Sequence, residues 1–165
     1  MKMPLTFPAG LLLIAGLLQG CAVASGAREG AVPAPDRSAA EAYREDQKIE
    51  TVAIDRIYDQ FKVYIHVNVT SFKRTVLISG EVPDEATSTA IEKIVAGVEG
   101  VRNVNNELVV SANSSLASRS NDSMITSSIK LRFARDKRIS PDRVRAVTEN
   151  GTVFLMGDAG RAEAD

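Results

Sequence analysis

The stretch Thr75-Val76-Leu77-Ile78-Ser79-Gly80 decides the fold of this chain, because its pattern returns as Thr152-Val153-Phe154-Leu155-Met156-Gly157. Upstream of each copy, an amphipathic segment opens with Asp-x-x-Ile, first at Asp46 and again at Asp122. The offset is 76 residues at the Asp-x-x-Ile motif and 77 at the glycine-ended motif. Two motifs that return at nearly one offset indicate that a whole supersecondary unit is duplicated.

Composition and charge distinguish the two predicted units. The chain of 165 residues is 44% hydrophobic and 25% charged, which is ordinary for a soluble globular protein. Segment 41–110 holds eight Lys or Arg against twelve Asp or Glu, a net charge of minus four. Segment 119–147 holds eight against three, a net charge of plus five. The two units are therefore expected to face different partners.

Residues 1–20 have the pattern of a secretory signal peptide. Lys2 gives a positive start, and the apolar run at 11–18 is too short to span a bilayer as an ordinary helix. Leu18-Gln19-Gly20-Cys21 then resembles a bacterial lipobox, in which the cysteine becomes the lipidated N-terminus. The sequence holds no second cysteine that could form a disulfide with Cys21. We therefore predict lipidation at Cys21.

Residues 21–40 are predicted to form a flexible tether, since they are rich in Ala, Gly, Ser and Pro and show no apolar periodicity. Ala22 stands where aspartate usually retains a lipoprotein in the inner membrane. By resemblance to enterobacterial lipoproteins, this points to the outer membrane. Several acyl chains anchor a protein firmly, so the folded part is expected to hang from the membrane on this tether.

Residues 41–110 are predicted to form one α+β unit in the order helix, strand, strand, helix, strand. Apolar residues recur every three or four positions from Ile49 to Phe61, which indicates a helix with one buried face. A right-handed crossover would return the last strand to the same small sheet, with both helices on one face. The predicted bounds are 41–61 for the helix, 63–70 and 75–81 for the strands, 83 onward for the second helix and 102–110 for the last strand.

Residues 111–120 are predicted to be a polar linker, and residues 121–165 to repeat the pattern. Ile125, Ile129 and Phe133 form a helical stripe, and Asn150-Gly151 is a strong hairpin signal. On the 77-residue offset, the chain ends before the counterparts of residues 89–110. The second unit is therefore expected to be incomplete, without its second helix and last strand.

Three stretches of this sequence resemble the BON domain. They are the segment Val98 to Leu108, Asn121-Asp122 ahead of Met124-Ile125-Thr126, and the segment Thr148 to Gly157. With the lipobox, they resemble the DolP family of dual-BON outer-membrane lipoproteins. The resemblance implies two tandem BON units, each a small sheet covered by two helices, in a lipid-anchored protein that faces the periplasm.

The resemblance also implies that the first helix of the second unit binds an anionic phospholipid membrane, and that the protein supports envelope integrity and cell division. Met124 stands where the family commonly has tryptophan, beside a run of basic residues. Envelope assembly or division proteins are further candidate partners. The residues expected to contact lipid are Met124, Ile125, Lys130, Leu131, Arg132 and Arg135.

The alternative function is that of a protein-interaction adaptor, in which the acidic first unit docks an envelope assembly or cell-wall factor. Nucleic acid is a poor partner for the basic residues, because the lipobox directs the chain out of the cytoplasm and no aromatic platform accompanies them.

Catalysis finds little support in the sequence. His66 is the only histidine, and strand alternation places it on the face opposite the apolar row, as a surface residue. A single histidine without a second cysteine does not form a usual zinc site or a His-based nucleophile. Most of the acidic residues of the first helix are expected to be solvated; the residues concerned are Glu45, Asp46, Glu50, Asp55 and Asp59. We therefore predict no catalytic residue, no metal site and no cofactor.

Overall fold

The computed structural model describes residues 37–62, 65–136 and 138–158. The predicted signal peptide, Cys21 and most of the tether lie outside the described residues. The predicted α+β fold with two tandem units is confirmed. We call residues 37–110 the first repeat and residues 116–158 the second repeat, and both belong to one compact unit.

The first repeat has the predicted order of elements. Its central strand is antiparallel to the first strand and parallel to the last one. The first helix begins at Arg37, so residues 37–40, predicted to belong to the tether, are helical. The elements are α1 (Arg37–Phe61), β1 (His66–Phe72), β2 (Thr75–Val82), α2 (Glu85–Ala96) and β3 (Asn103–Val110).

Both helices of the first repeat pack on one face of its sheet. The apolar stripe of α1 meets alternate residues of β1 and β2, and α2 adds its own apolar face. Burial of each such aliphatic side chain contributes roughly 1.5–3 kcal/mol. The fully buried members are Ala53, Ile57, Val76, Ile78, Val82, Ile91 and Val95.

The second repeat is a helix packed on a two-stranded hairpin. Its elements are α3 (Leu116–Arg135), a short 3-10 helix (Pro141–Arg143), β4 (Val144–Glu149) and β5 (Thr152–Gly157). The helix starts inside the predicted linker because Ser115 caps it, accepting a hydrogen bond from the Ser118 N–H at 3.1 Å. The connection between the repeats is therefore 111–115, shorter than predicted.

A buried aspartate holds the turn of each hairpin. The carboxylate of Asp46 accepts the two backbone N–H groups of the turn Lys73-Arg74 at 2.8 and 2.9 Å. The carboxylate of Asp122 accepts the two N–H groups of Asn150-Gly151, both at 2.9 Å. All four turn residues have positive φ, as in a type I′ turn. The Asp-x-x-Ile motif thus marks the residue that fastens the hairpin to the helix.

The prediction that the acidic residues of α1 are solvated is wrong for Asp46 and Glu50. Asp46 is only 3% exposed and also accepts a hydrogen bond from the Ser71 hydroxyl at 2.6 Å. The Glu50 carboxylate accepts the Ser71 N–H at 2.8 Å. The reason is tertiary: the β1–β2 hairpin folds back over this side of α1 and supplies the donors.

The glycine that ends each repeated motif is required by a close backbone approach. A Cβ atom on Gly80 would lie 1.9 Å from the carbonyl oxygen of His66, and one on Gly157 would lie 2.5 Å from that of Arg143. The His66 oxygen belongs to β1 and the Arg143 oxygen to the residue just before β4, and backbone at these positions cannot move aside cheaply. These two positions therefore admit no side chain.

Equivalent positions of the two motifs differ in exposure. Val76 and Ile78 are completely buried on β2, whereas their counterparts Val153 and Leu155 on β5 are 39% and 59% exposed. In the first repeat, α2 and β3 pack on β2. In the described part of the second repeat, β5 pairs with β4 alone. The part of the β5 surface formed by Val153 and Leu155 is therefore apolar and exposed.

Candidate functional site

The outer face of α3 carries two large exposed apolar side chains. Met124 is 67% exposed and Leu131 is 57% exposed. They are seven residues apart, so two helical turns bring them to the same side of α3. Both belong to the residues predicted to contact lipid, and both lie on the exposed side of α3.

The opposite face of α3 packs on the β4–β5 hairpin. Asp122 is buried, and the Thr126 hydroxyl donates to the Thr148 hydroxyl of β4 at 2.8 Å. Ile125, Ile129 and Phe133, predicted to point inward, are half-buried on this side. These contacts orient α3 and leave Met124 and Leu131 facing outward.

Three exposed basic side chains lie on the same helix as this apolar pair, and one of them, Lys130, lines the cleft beside β1 and β4. Lys130, Arg132 and Arg135 are exposed, and none forms an ion pair with any residue that the structure describes. Arg132 and Arg135 lie in the last turn of α3, where cations interact favourably with the helix dipole. The predicted lipid-contacting residues therefore share one helix, with Ile125 at the edge of the packed side.

Three other basic residues of this region, Arg119, Arg138 and Arg145, have partners of their own. The Arg138 guanidinium beside Asp136 lowers the pKa of that carboxyl to about 2. Arg145 lies over the ring of Tyr43, 4.9 Å from its centroid. Arg119 donates to the carbonyl of Ser114. Lys130, Arg132 and Arg135 are consequently the cations best placed for an external anion.

Serine hydroxyls along α3 are bonded within the helix. Ser123, Ser127 and Ser128 donate to the carbonyl oxygens four residues earlier, at 2.8–2.9 Å. A donor that is already satisfied costs less to remove from water. The outer face of α3 is therefore less polar than its serine content indicates.

No helix within the described ranges is both long and apolar enough to cross a membrane. The exposed pair on α3 is a surface feature of a folded repeat.

A second cluster lies where the two repeats meet. The imidazole of His66 on β1 lies 3.3 Å from a carboxylate oxygen of Glu149 at the end of β4. Asn68 donates to the other oxygen of Glu149 at 2.7 Å. Glu81 on β2 pairs with His66 across the ladder and accepts two bonds from Ser114. His66, Asn68 and Glu149 line a cleft of about 540 Å³ between β1, α3 and β4.

The environment of this cluster differs from the sequence prediction. His66 does lie opposite the apolar row, but its side chain is only 14% exposed because Glu149 covers it. Burial raises the pKa of the Glu149 carboxyl, and the bond from Asn68 partly opposes that change. No local sequence pattern predicts this cluster, since 83 positions separate His66 from Glu149.

Comparison with known proteins assigns both repeats to one domain family. The model of the BON domain matches residues 46–112 and 121–165, together more than half of the chain. The chain is 34% identical to the outer membrane lipoprotein DolP of Haemophilus influenzae over 152 residues, which cover 90% of this chain and 79% of that protein.

Two further relatives are similar over much of the chain. A 21 kDa hemolysin of Actinobacillus pleuropneumoniae is 32% identical over 81% of this chain and 69% of its own length. The osmotically inducible protein Y of Escherichia coli is 28% identical over 72% of this chain and 59% of its own length. The similarity thus spans both repeats.

Proposed function

We propose that this chain binds anionic phospholipid through α3. The chain belongs to the BON-domain family and is an outer-membrane lipoprotein of the DolP family that faces the periplasm. The surface involved is the exposed side of α3, with Met124, Leu131 and the three exposed cations Lys130, Arg132 and Arg135. One observation carries the proposal: apolar and basic side chains are exposed together on a single helix.

The physical basis is a combination of two weak attractions. Met124 and Leu131 give apolar surface that can enter the boundary between headgroups and acyl chains. Lys130, Arg132 and Arg135 each contribute about 1 kcal/mol near an anionic surface. Neither attraction is strong alone, and together they favour a membrane that carries negative headgroups.

Lipidation supplies the rest of the affinity. Acyl chains on Cys21 would keep the folded repeats within reach of the same membrane, so α3 binds at a high effective concentration. Contacts that are weak in free solution are then occupied most of the time. In this proposal the protein has no catalytic role and supports envelope integrity and cell division by binding at the membrane.

Vesicle flotation of the full chain carrying Cys21→Ser tests the lipid site without the anchor. We expect it to float with vesicles containing phosphatidylglycerol, to float poorly with phosphatidylcholine alone, and to be released by salt. Arg132→Glu with Arg135→Glu should abolish flotation, whereas Lys48→Glu with Lys62→Glu, equal in charge change but in the first repeat, should not. Equal binding to neutral vesicles, or none at all, would refute the proposal.

A protein-interaction adaptor is the second candidate, and one observation favours it. Val153 and Leu155 are exposed on β5, whose outer edge has no strand partner among the described residues. An envelope protein could add a strand there. If flotation fails and cross-linking from a β5 position captures an envelope assembly protein, this function replaces the first.

A further inference from the structure

We propose that His66, Glu81 and Glu149 form a site for a divalent transition-metal ion such as Zn²⁺, which links the first repeat to the second. An imidazole nitrogen and two carboxylate oxygens from these residues lie within 4.8 Å of one another. Imidazole and carboxylate are ordinary ligands of Zn²⁺, and a water molecule would complete a tetrahedral set.

The spacing of the cluster suits a metal. Two ligands of a tetrahedral Zn²⁺, each at about 2.0–2.1 Å, lie about 3.3 Å apart. The Nε2 atom of His66 and the Oε1 atom of Glu149 are 3.3 Å apart in the structure. Glu81 faces His66 across the β1–β2 ladder, and its carboxylate oxygen lies within 4.8 Å of the other two ligand atoms.

The charge of the cluster also favours a cation. Glu81 and Glu149 are 2% and 7% exposed. Two carboxylates removed from water, with oxygens within 4.8 Å of each other, repel each other. Asp122, Arg119 and Lys130 line the neighbouring cleft; the Arg119 guanidinium is turned to the Ser114 carbonyl, and Lys130 is exposed. A divalent ion would neutralise the negative charge of both carboxylates.

Neighbouring groups hold the carboxylates as an outer coordination shell does. The Oε2 atom of Glu149 accepts from the Asn68 amide at 2.7 Å. The Oε2 atom of Glu81 accepts from the N–H and the hydroxyl of Ser114, at 3.2 and 3.1 Å. Each carboxylate therefore has one oxygen held by neighbouring donors, the arrangement that orients ligands at metal sites.

The site would join separate parts of the chain. His66 and Glu81 belong to the first repeat, Glu149 belongs to the second, and Ser114 lies in the connection between them. A bound ion therefore stabilises the arrangement of the two repeats against separation, beyond what it adds within either one.

Calorimetric titration of the chelator-treated full chain in detergent with Zn²⁺ tests the proposal. We expect one Zn²⁺ per chain and a higher melting temperature with Zn²⁺ than with Ca²⁺ or Mg²⁺. His66→Asn, Glu81→Gln and Glu149→Gln should each weaken binding at least about tenfold. Glu107→Gln, at an exposed glutamate of the neighbouring strand β3, should bind Zn²⁺ as the parent does.

Two controls keep the test decisive. Far-ultraviolet circular dichroism of each variant must match the parent, and the isosteric change at Glu149 keeps an oxygen for Asn68. Cys21→Ser separates this site from a thiolate, which also binds Zn²⁺. Absence of binding, binding that survives all three ligand substitutions, or binding lost in Cys21→Ser would overturn the proposal.

Discussion

The amide of Asn68 in the first repeat donates to the carboxylate of Glu149 in the second repeat at 2.7 Å. Glu149 is 7% exposed, so this bond serves a carboxylate that has little access to water. Asn68→Ala should lower the free energy of unfolding by about 1–2 kcal/mol, since it removes a bond to a charged group. Urea denaturation measures it, with Asn103→Ala, at an exposed residue of β3, as the control. Equal stability of the two variants would contradict a structural role for Asn68.

The buried aspartate of the second repeat should be a strong determinant of its stability. Asp122→Ala leaves the N–H groups of Asn150-Gly151 without their acceptor, and we expect a loss of about 2–3 kcal/mol. Asp55→Ala, at an exposed position of α1, is the control and should cost less than about 0.5 kcal/mol. Chemical denaturation compares them, and a loss no greater than that of the control would refute the role of Asp122.

Substitution of Met124 should change membrane binding in both directions. Met124→Glu puts a charge on the outer face of α3 and should weaken binding to phosphatidylglycerol vesicles about tenfold. Met124→Trp should strengthen it, because tryptophan favours the membrane interface. Val109→Glu, at an apolar residue of β3 that is 53% exposed, controls for charge. If both Met124 variants bind as the parent does, the residue does not contact the membrane.

Anchoring should depend on Cys21 alone. Cys21→Ser removes the thiol that the lipobox would present for acylation. We expect metabolic labelling with a palmitate analogue to mark the parent chain and to leave the variant unlabelled. Persistent labelling of the variant would show that another residue carries the lipid.

Amide hydrogen exchange should differ between equivalent strands. The amides of β2 lie between two paired strands, whereas β5 pairs with β4 alone among the described residues. A lone hairpin with a helix is marginally stable, so exchange should be fast after Ser120 and slow between Ile49 and Val110. Equal protection would indicate that another segment or a partner covers β5.

Elements with a clear local period were predictable from the sequence. The stripe from Ile49 to Phe61 and the Asn150-Gly151 turn each carry their signal within a few residues, and the structure has both. The start of α3 was missed because its cap, Ser115, stands in a serine-rich stretch that has no apolar period. Such a stretch has the same composition as a linker.

Contacts between residues far apart in the sequence determine the burial and the partners that local patterns do not predict. Asp46 lies at the edge of the apolar stripe of α1, and only the turn at Lys73-Arg74 makes its burial favourable. Strand alternation correctly predicts that His66 lies on the face away from α1. No residue near His66 in the sequence indicates its contact with Glu149. The outer face of α3 was predictable because Met124 and Leu131 share one helix. The cluster between the repeats was not, because its members come from three strands.

The paired aspartate, turn and glycine give a way to count repeats in a longer chain. The aspartate lies 27 positions before the turn and 34 before the glycine in the first repeat (Asp46, Lys73, Gly80), and 28 and 35 in the second (Asp122, Asn150, Gly157). Each of the three has a backbone reason, because the carboxylate binds the turn and the glycine admits no Cβ. Side chains elsewhere can change polarity without disturbing this spacing. The spacing of aspartate, turn and glycine can therefore identify diverged copies of the unit, even where the helix sequences are no longer similar.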